Sequence, residues 1–122
     1  MRIRQQLLPV IFCICFYSCH KKQPCDNMTS KNVCITVSNQ SGRNAKTVSI
    51  IDGRSRTEMG AMANNSTSSI LINSSGENSY VLLAVLENGD SIRSLESYIE
   101  GGYRMKELIK ADSIVTRYED SY

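Results

Sequence analysis

The sequence predicts an all-β domain, a small antiparallel β-sandwich behind an export leader and a polar tether. Three observations carry this. Apolar and polar residues alternate in short runs, as half-buried strands require, because successive side chains of a strand point to opposite faces. Clusters of Asn, Asp, Ser and Gly separate these runs at spacings of about 8–12 residues. The most apolar run after the leader, Tyr80 to Leu86, is β-branched and aromatic-rich and is bounded by turns.

The elements follow in order. Val33, Ile35 and Val37 alternate with Cys34, Thr36 and Ser38 in a first strand. Residues 39–44 are a turn cluster. Val48, Ile50 and Ile51 mark a second strand, ended by Asp52-Gly53. Residues 54–66 read as a loop-rich edge: Met59, Ala61 and Ala63 alternate, but Gly60 and Asn64-Asn65 interrupt them. Ile70 to Ile72 form a third strand before the turn Asn73-Ser74-Ser75-Gly76.

The run 80–86 is expected at the centre of a sheet, because a continuous apolar run suits a strand covered on both faces. Asn88-Gly89 then predicts a tight hairpin with positive φ at both turn centres, pairing 80–87 with 90–99. In that second arm Ile92, Ser94, Glu96 and Tyr98 share one face and Arg93, Leu95, Ser97 and Ile99 the other. Neither face is purely apolar, which places the arm near an edge. Tyr103, Met105, Glu107 and Ile109 align as a strand, although Met105, Leu108 and Ile109 would also align on a helix. Ile114, Thr116 and Tyr118 form the last strand. Seven or so short strands of this kind suit an immunoglobulin-like or transthyretin-like sandwich; the chain contains no Trp, so the Cys–Trp–Cys core of antibody domains is absent.

Residues 1–18 are organised as an export signal. Arg2 and Arg4 are basic, Leu7 to Phe16 are apolar, and the small Ser18 precedes a cleavage point. The apolar run is too short to cross a hydrocarbon core of about 30 Å as a helix. Residues 19–32 are polar, contain Pro24 and lack periodicity, as a tether does. The domain then occupies 33–122.

At Phe16-Tyr17-Ser18-Cys19 the chain resembles bacterial lipoproteins. Their lipobox has an aliphatic residue, a small or variable one, then Gly, Ala or Ser, then Cys. Ser18 and Cys19 fit; Phe16 and Tyr17 are bulkier, and such looser boxes are similar to those of Bacteroidota-type lipoproteins. The stretch from Tyr98 to Ile114 is similar to small uncharacterised lipoproteins of the same group. The resemblance implies that Cys19 becomes the first residue, carries a thioether-linked diacylglycerol with palmitate-class chains, and holds the protein at the outer membrane, on its periplasmic or surface face. At about 0.8 kcal/mol per buried methylene, two or three chains anchor almost permanently. Ordinary cleavage after Ser18 would instead release a soluble protein.

The 122-residue chain has net charge +2. Arg2 and Arg4 leave with the leader, so twelve basic side chains then face twelve acidic ones. That balance gives no reason to expect a nucleic-acid partner. Of five cysteines, Cys13 and Cys15 lie in the leader and Cys19 is the acylation site. Cys25 and Cys34 remain, and two thiols in an oxidising compartment usually pair. The rivals are two free thiols or a metal pair, but metal needs further ligands and the single histidine, His20, lies in the tether.

No catalytic residue, metal set or cofactor is expected. With His20 outside the domain, a Ser–His–Asp arrangement is unavailable there. Glu96 and Glu100 could pair as acid and base, but on strands with open turns they read as solvated charges. Asp26, Asp52 and Asp90 lack calcium-loop spacing. The Asn-X-Ser/Thr triplets at Asn27, Asn39, Asn64, Asn65 and Asn73 reflect turn-rich composition. The Asp-Ser-Ile triplets at Asp90 and Asp112 look like a short O-glycosylation motif, with Ser91 and Ser113 as acceptors. The functional expectation is a non-enzymatic module, anchored by lipid, that binds a protein or glycan through 53–66, 73–79 or an edge strand. The alternative is an immunity- or inhibitor-type envelope protein that blocks an enzyme.

Overall fold

The computed structural model describes residues 24–53, 55–74 and 76–119. Cys13, Cys15, Cys19 and His20 lie outside the described residues.

Two sheets pack face to face as a small β-sandwich. The first has the order β4-β1-β8-β9, built from β1 (Asn32–Asn39), β4 (Thr67–Asn73), β8 (Arg104–Ile109) and β9 (Ile114–Glu119). The second has the order β3-β2-β5-β6, with β7 also on β5; its strands are β2 (Ala45–Asp52), β3 (Ser55–Met62), β5 (Asn78–Leu86), β6 (Ser91–Arg93) and β7 (Ser97–Ile99). Every pairing is antiparallel except β1 with β8. That parallel pair departs from the expected all-antiparallel ladder. It is possible because most of the chain lies between the two strands and serves as the crossover.

Alternation decides which residues enter the core. Val33, Ile35 and Val37 of β1 and Met105 and Ile109 of β8 are fully buried. They meet Val48 and Ile50 of β2 and Tyr80, Leu82, Ala84 and Leu86 of β5. β5 is central, as its apolar run predicts, with β2 on one side and β6 and β7 on the other. The strand reading of 104–109 holds, and Glu107 enters the core with its apolar neighbours.

Two bulges overturn details of the sequence reading. Residues 55–62 are an eight-residue edge strand rather than a loop. Its pairing shifts between Val48↔Gly60 and Ser49↔Glu58, so Met59 and Gly60 together occupy one position. Gly60 has φ 83°, a conformation that glycine adopts without steric cost. The parity of the strand therefore flips. Met59 and Met62 turn toward the core, while Ala61 is exposed.

The second bulge splits the arm after Gly89. Arg93 pairs with Leu83 and Ser97 with Tyr80, so three residues, Ser94 to Glu96, face two on β5. Ser94 holds the bulge by bonding Leu82 twice. Its N–H donates to the Leu82 carbonyl at 2.8 Å, and its Oγ accepts from the Leu82 N–H at 2.8 Å. Ile92 and Ser94 point inward before the bulge, Ser97 and Ile99 after it, and Leu95 is 86% exposed. The expected grouping of Ile92, Ser94, Glu96 and Tyr98 on one face is thus corrected. The preceding turn differs too. Gly89 has φ 91°, but Asn88 does not share the positive φ, and the Gly89 N–H donates to the Leu86 carbonyl at 2.9 Å. This is a type I turn closed by a glycine, the common three-residue hairpin.

Strand direction gives the sandwich two distinct poles. The short helical turn Pro24–Asn27, the start of β1, Ser74, Gly76 and Glu77, and the loop 100–103 share one pole. The loops 40–44, 63–66, 87–90 and 110–113 share the other.

Candidate interaction surfaces

The first pole is built around the N-terminal segment. Cys25 and Cys34 form a disulfide with Cα atoms 5.7 Å apart. It ties the Pro24–Asn27 turn to the outer face of the β4-β1-β8-β9 sheet. The described part of the polar segment is therefore attached to the domain from Pro24 onward, and Cys25 is buried. Further bonds close this pole: Ser74 N–H donates to the Lys31 carbonyl at 2.9 Å and Gly102 N–H to the Asn32 carbonyl at 2.7 Å. Gly101 is the tightest point, since a Cβ there would lie 1.8 Å from the Ser30 carbonyl oxygen.

A cluster of tyrosines occupies the same level. The Cys34 N–H donates to the Tyr103 carbonyl at 3.0 Å, so Tyr103 starts beside the disulfide. Its ring meets Tyr98 at 6.3 Å and Tyr118 at 6.1 Å, both nearly perpendicular. Tyr98 comes from β7 and Tyr118 from β9, the edges of opposite sheets. The Tyr118 hydroxyl joins those edges by donating to the Tyr98 carbonyl at 3.0 Å. Tyr98 and Tyr118 remain 43% and 56% exposed, a large aromatic area for a small domain. The Tyr98 hydroxyl donates to the Glu100 carboxylate. That bond, then burial and the charges of Glu100 and Glu77, push the Tyr98 phenol above its ordinary range.

The opposite pole is organised by Asn39, which is fully buried. Its Nδ2 donates to the Arg43 carbonyl at 2.8 Å and the Met62 carbonyl at 3.1 Å. Its Oδ1 accepts from the Ser41 hydroxyl at 2.7 Å and the Ser41 N–H at 3.1 Å. The Asn65 N–H donates to the Asn39 carbonyl at 2.7 Å. One side chain thus fixes two loops, and Asn64 adds a bond from the Gly42 N–H at 3.0 Å. Asn65 itself takes φ 62°, which asparagine tolerates better than most residues. Around this framework Arg43 faces Asp90 at 3.9 Å and Lys110 Nζ donates to Gln40 Oε1 at 2.6 Å.

The expected binding segments part company. Residues 63–66 lie at the Asn39 pole. Ser55 and Thr57 come instead beside Leu71, Ile72 and Asn73, where edges β3 and β4 frame a cleft of about 280 Å³. Asp52 lines it too, and its Oδ1 is buried with no hydrogen-bond partner among the described residues. On the outer face of β3, the Ser49 hydroxyl and then Arg56 hold the Glu58 carboxyl below its usual range.

Other residues singled out from the sequence are dispersed. Glu96 accepts from Ser79 Oγ at 2.5 Å and Glu100 accepts from Tyr98, so each carboxylate is engaged separately. Ser91 and Ser113 are exposed at the Asn39 pole. Among the described residues no group of three or more His, Cys, Asp or Glu is placed to hold a metal, and no helix is long and apolar enough to cross a membrane. The tyrosine cluster was missed in the sequence. Tyr98 and Tyr103 flank one turn, but Tyr118 joins them only because edges β7 and β9 of opposite sheets meet.

No protein-family model and no curated protein sequence matches the chain. Solved structures do. The NMR structure of a protein from Eubacterium rectale is similar with a TM-score of 0.60 at 11% identity, over 74% of this chain and 92% of that one. A candidate cell adhesion protein from Bacteroides ovatus gives 0.44 at 10% identity, over 74% of this chain and 43% of its own. Listeriolysin O gives 0.44 at 9% identity, over 73% of this chain and 23% of its own. At these identities the likeness concerns the fold, a β-sandwich found in bacterial proteins.

Proposed function

We propose that the chain is a non-enzymatic interaction module of the bacterial cell envelope, anchored to the outer membrane through acylated Cys19. Its loops 40–44, 63–66, 87–90 and 110–113 contact a protein or glycan partner. The observation that carries this reading is the polarity of the domain. The Cys25–Cys34 bond fastens the segment leading back to Cys19 to one pole, and the Asn39-organised loops occupy the opposite one. An anchor at the first pole turns those loops away from the bilayer. Asn39 cross-links the first two of them through its side-chain hydrogen bonds, which lowers the ordering cost of binding, and Arg43, Asp90 and Lys110 add charges of both signs.

The test places a photo-cross-linking residue at Asn88 or Asp112 and captures adducts from intact envelopes. A stoichiometric adduct from these positions, and none from a probe at Glu58, exposed midway along edge strand β3, supports the reading. Equal or absent labelling at both places contradicts it.

A further inference from the structure

Tyr98 and Tyr118 form an exposed aromatic surface around the half-buried Tyr103, and its position in the fold names its occupant. The cluster lies at the pole where the chain leads back toward Cys19. The Tyr103 carbonyl is bonded to Cys34, and Cys34 is bonded to Cys25. From Pro24 to Cys19 is five residue steps, a reach of at most about 18 Å even fully extended. The polar layer on each side of a bilayer is about 5–8 Å deep. With Cys19 acylated, this pole has little freedom to stand away from the headgroups.

We propose that the tyrosine cluster seats the domain on the bilayer surface, receiving the ammonium groups of zwitterionic phospholipid headgroups against its rings. This rests on the Cys19 anchor proposed above. Tyrosine suits the place, because its ring is apolar and its hydroxyl stays wet, the combination enriched at membrane interfaces. The charges select the headgroup. Glu100 is bonded to Tyr98 and Glu77 acts on the same phenol. A carboxylate at the hydroxyl edge of the Tyr98 ring attracts a quaternary or primary ammonium by charge while the ring adds cation–π contact, and it repels phosphatidylglycerol-type anions. The Tyr118–Tyr98 bond fixes the rings as one platform.

The chain contains no tryptophan, so a single introduced one reports on its own surroundings. The experiment uses the full acylated chain on phosphatidylcholine and phosphatidylethanolamine vesicles with brominated acyl chains. Tyr118→Trp and Tyr98→Trp probe the cluster and Asp112→Trp the opposite pole. The expected result is several-fold stronger quenching and a blue-shifted emission for the two cluster probes, weakened when phosphatidylglycerol replaces the zwitterionic lipid. Equal quenching at all three positions on vesicles that carry the protein overturns the docking alone. A blue shift at Tyr118→Trp without quenching, the signature of cover by a second protein copy, overturns it as well. A chain that takes no fatty acid and does not float with the vesicles overturns the anchor, and the docking with it.

Discussion

The Tyr80 hydroxyl donates to the Glu107 carboxylate across the interior, joining β5 of one sheet to β8 of the other. Tyr80 is 1% exposed and Glu107 fully buried. The Thr116 hydroxyl completes the site at 2.7 Å from Glu107 Oε2 and 3.0 Å from Oε1. Burial pushes the Glu107 carboxyl up, while the Tyr80 and Thr116 bonds pull it partly back. Burial, then the charge of Glu107, raises the Tyr80 phenol. A site so enclosed serves to register the two sheets rather than to meet a ligand.

The pH dependence follows from that direction. A carboxyl whose pKa is higher folded than unfolded holds more protons in the folded state. Stability then falls as pH rises from the ordinary value of 4.5 through the raised one, and the penalty is complete above it. Glu107→Gln removes this charge and keeps an acceptor for Tyr80. Chemical denaturation from pH 4 to pH 8 is expected to show the variant gaining on the wild type as pH increases. A constant difference would mean that Glu107 titrates normally.

Tyr80→Phe leaves Glu107 with Thr116 alone. It is expected to destabilise the domain by about 1–3 kcal/mol, the range for depriving a buried polar group of its partner. Because the Tyr80 bond lowers the Glu107 pKa, its loss moves that pKa further up, which carbon-detected NMR titration of the Glu107 carboxyl would read.

Gly101→Ala places a methyl group 1.8 Å from the Ser30 carbonyl. Backbone must shift on one side or the other, at a cost of about 1–3 kcal/mol for overpacking. Gly76→Ala is a useful comparison, because a Cβ there meets nothing within 4 Å but sits at φ 88°. Thermal unfolding is expected to show both losses, with altered amide shifts at Ser30 to Asn32 only for Gly101→Ala.

Reducing the Cys25–Cys34 bond, or replacing both residues with Ala, removes a cross-link that spans nine residues. The chain-entropy model puts the loss at about 2.5 kcal/mol. The midpoint in urea is the measurement, and hydrogen exchange at Asn27 and Lys31 should accelerate before that of the β5 core.

Ser94→Ala deprives the buried Leu82 N–H of the acceptor that closes the bulge. The expected cost is about 1–2 kcal/mol, within the range for an unsatisfied buried donor. The sharper readout is proteolysis near Leu95, which should quicken in the variant.

These predictions separate what the sequence made legible from what it hid. Strands with unbroken alternation were legible: Val33 to Val37 and Met105 to Ile109 enter the core at every second position. The pairing of Cys25 with Cys34 followed from counting thiols by compartment. The two misplaced strand faces have one cause in common, an inserted residue. At Met59-Gly60 and at Ser94 to Glu96 an extra residue reverses the inward face, and a strict period of two cannot follow it. The parallel β1–β8 pair and the Tyr98–Tyr103–Tyr118 cluster were hidden for another reason. The first depends on which distant strands become neighbours in one sheet and the second on which edges meet across the sandwich, and local patterning encodes neither.

The membrane anchor, and the two poles it defines, rest on Cys19. The direct measurement expresses the full chain in a bacterium, labels it with a fatty-acid analogue, and compares Cys19→Ala. Label on the wild type that is lost in Cys19→Ala, with the variant shed from the membrane fraction, is the predicted result. Equal labelling of both chains, or none on either, would contradict the anchor and with it the assignment of a membrane-facing and an outward-facing pole.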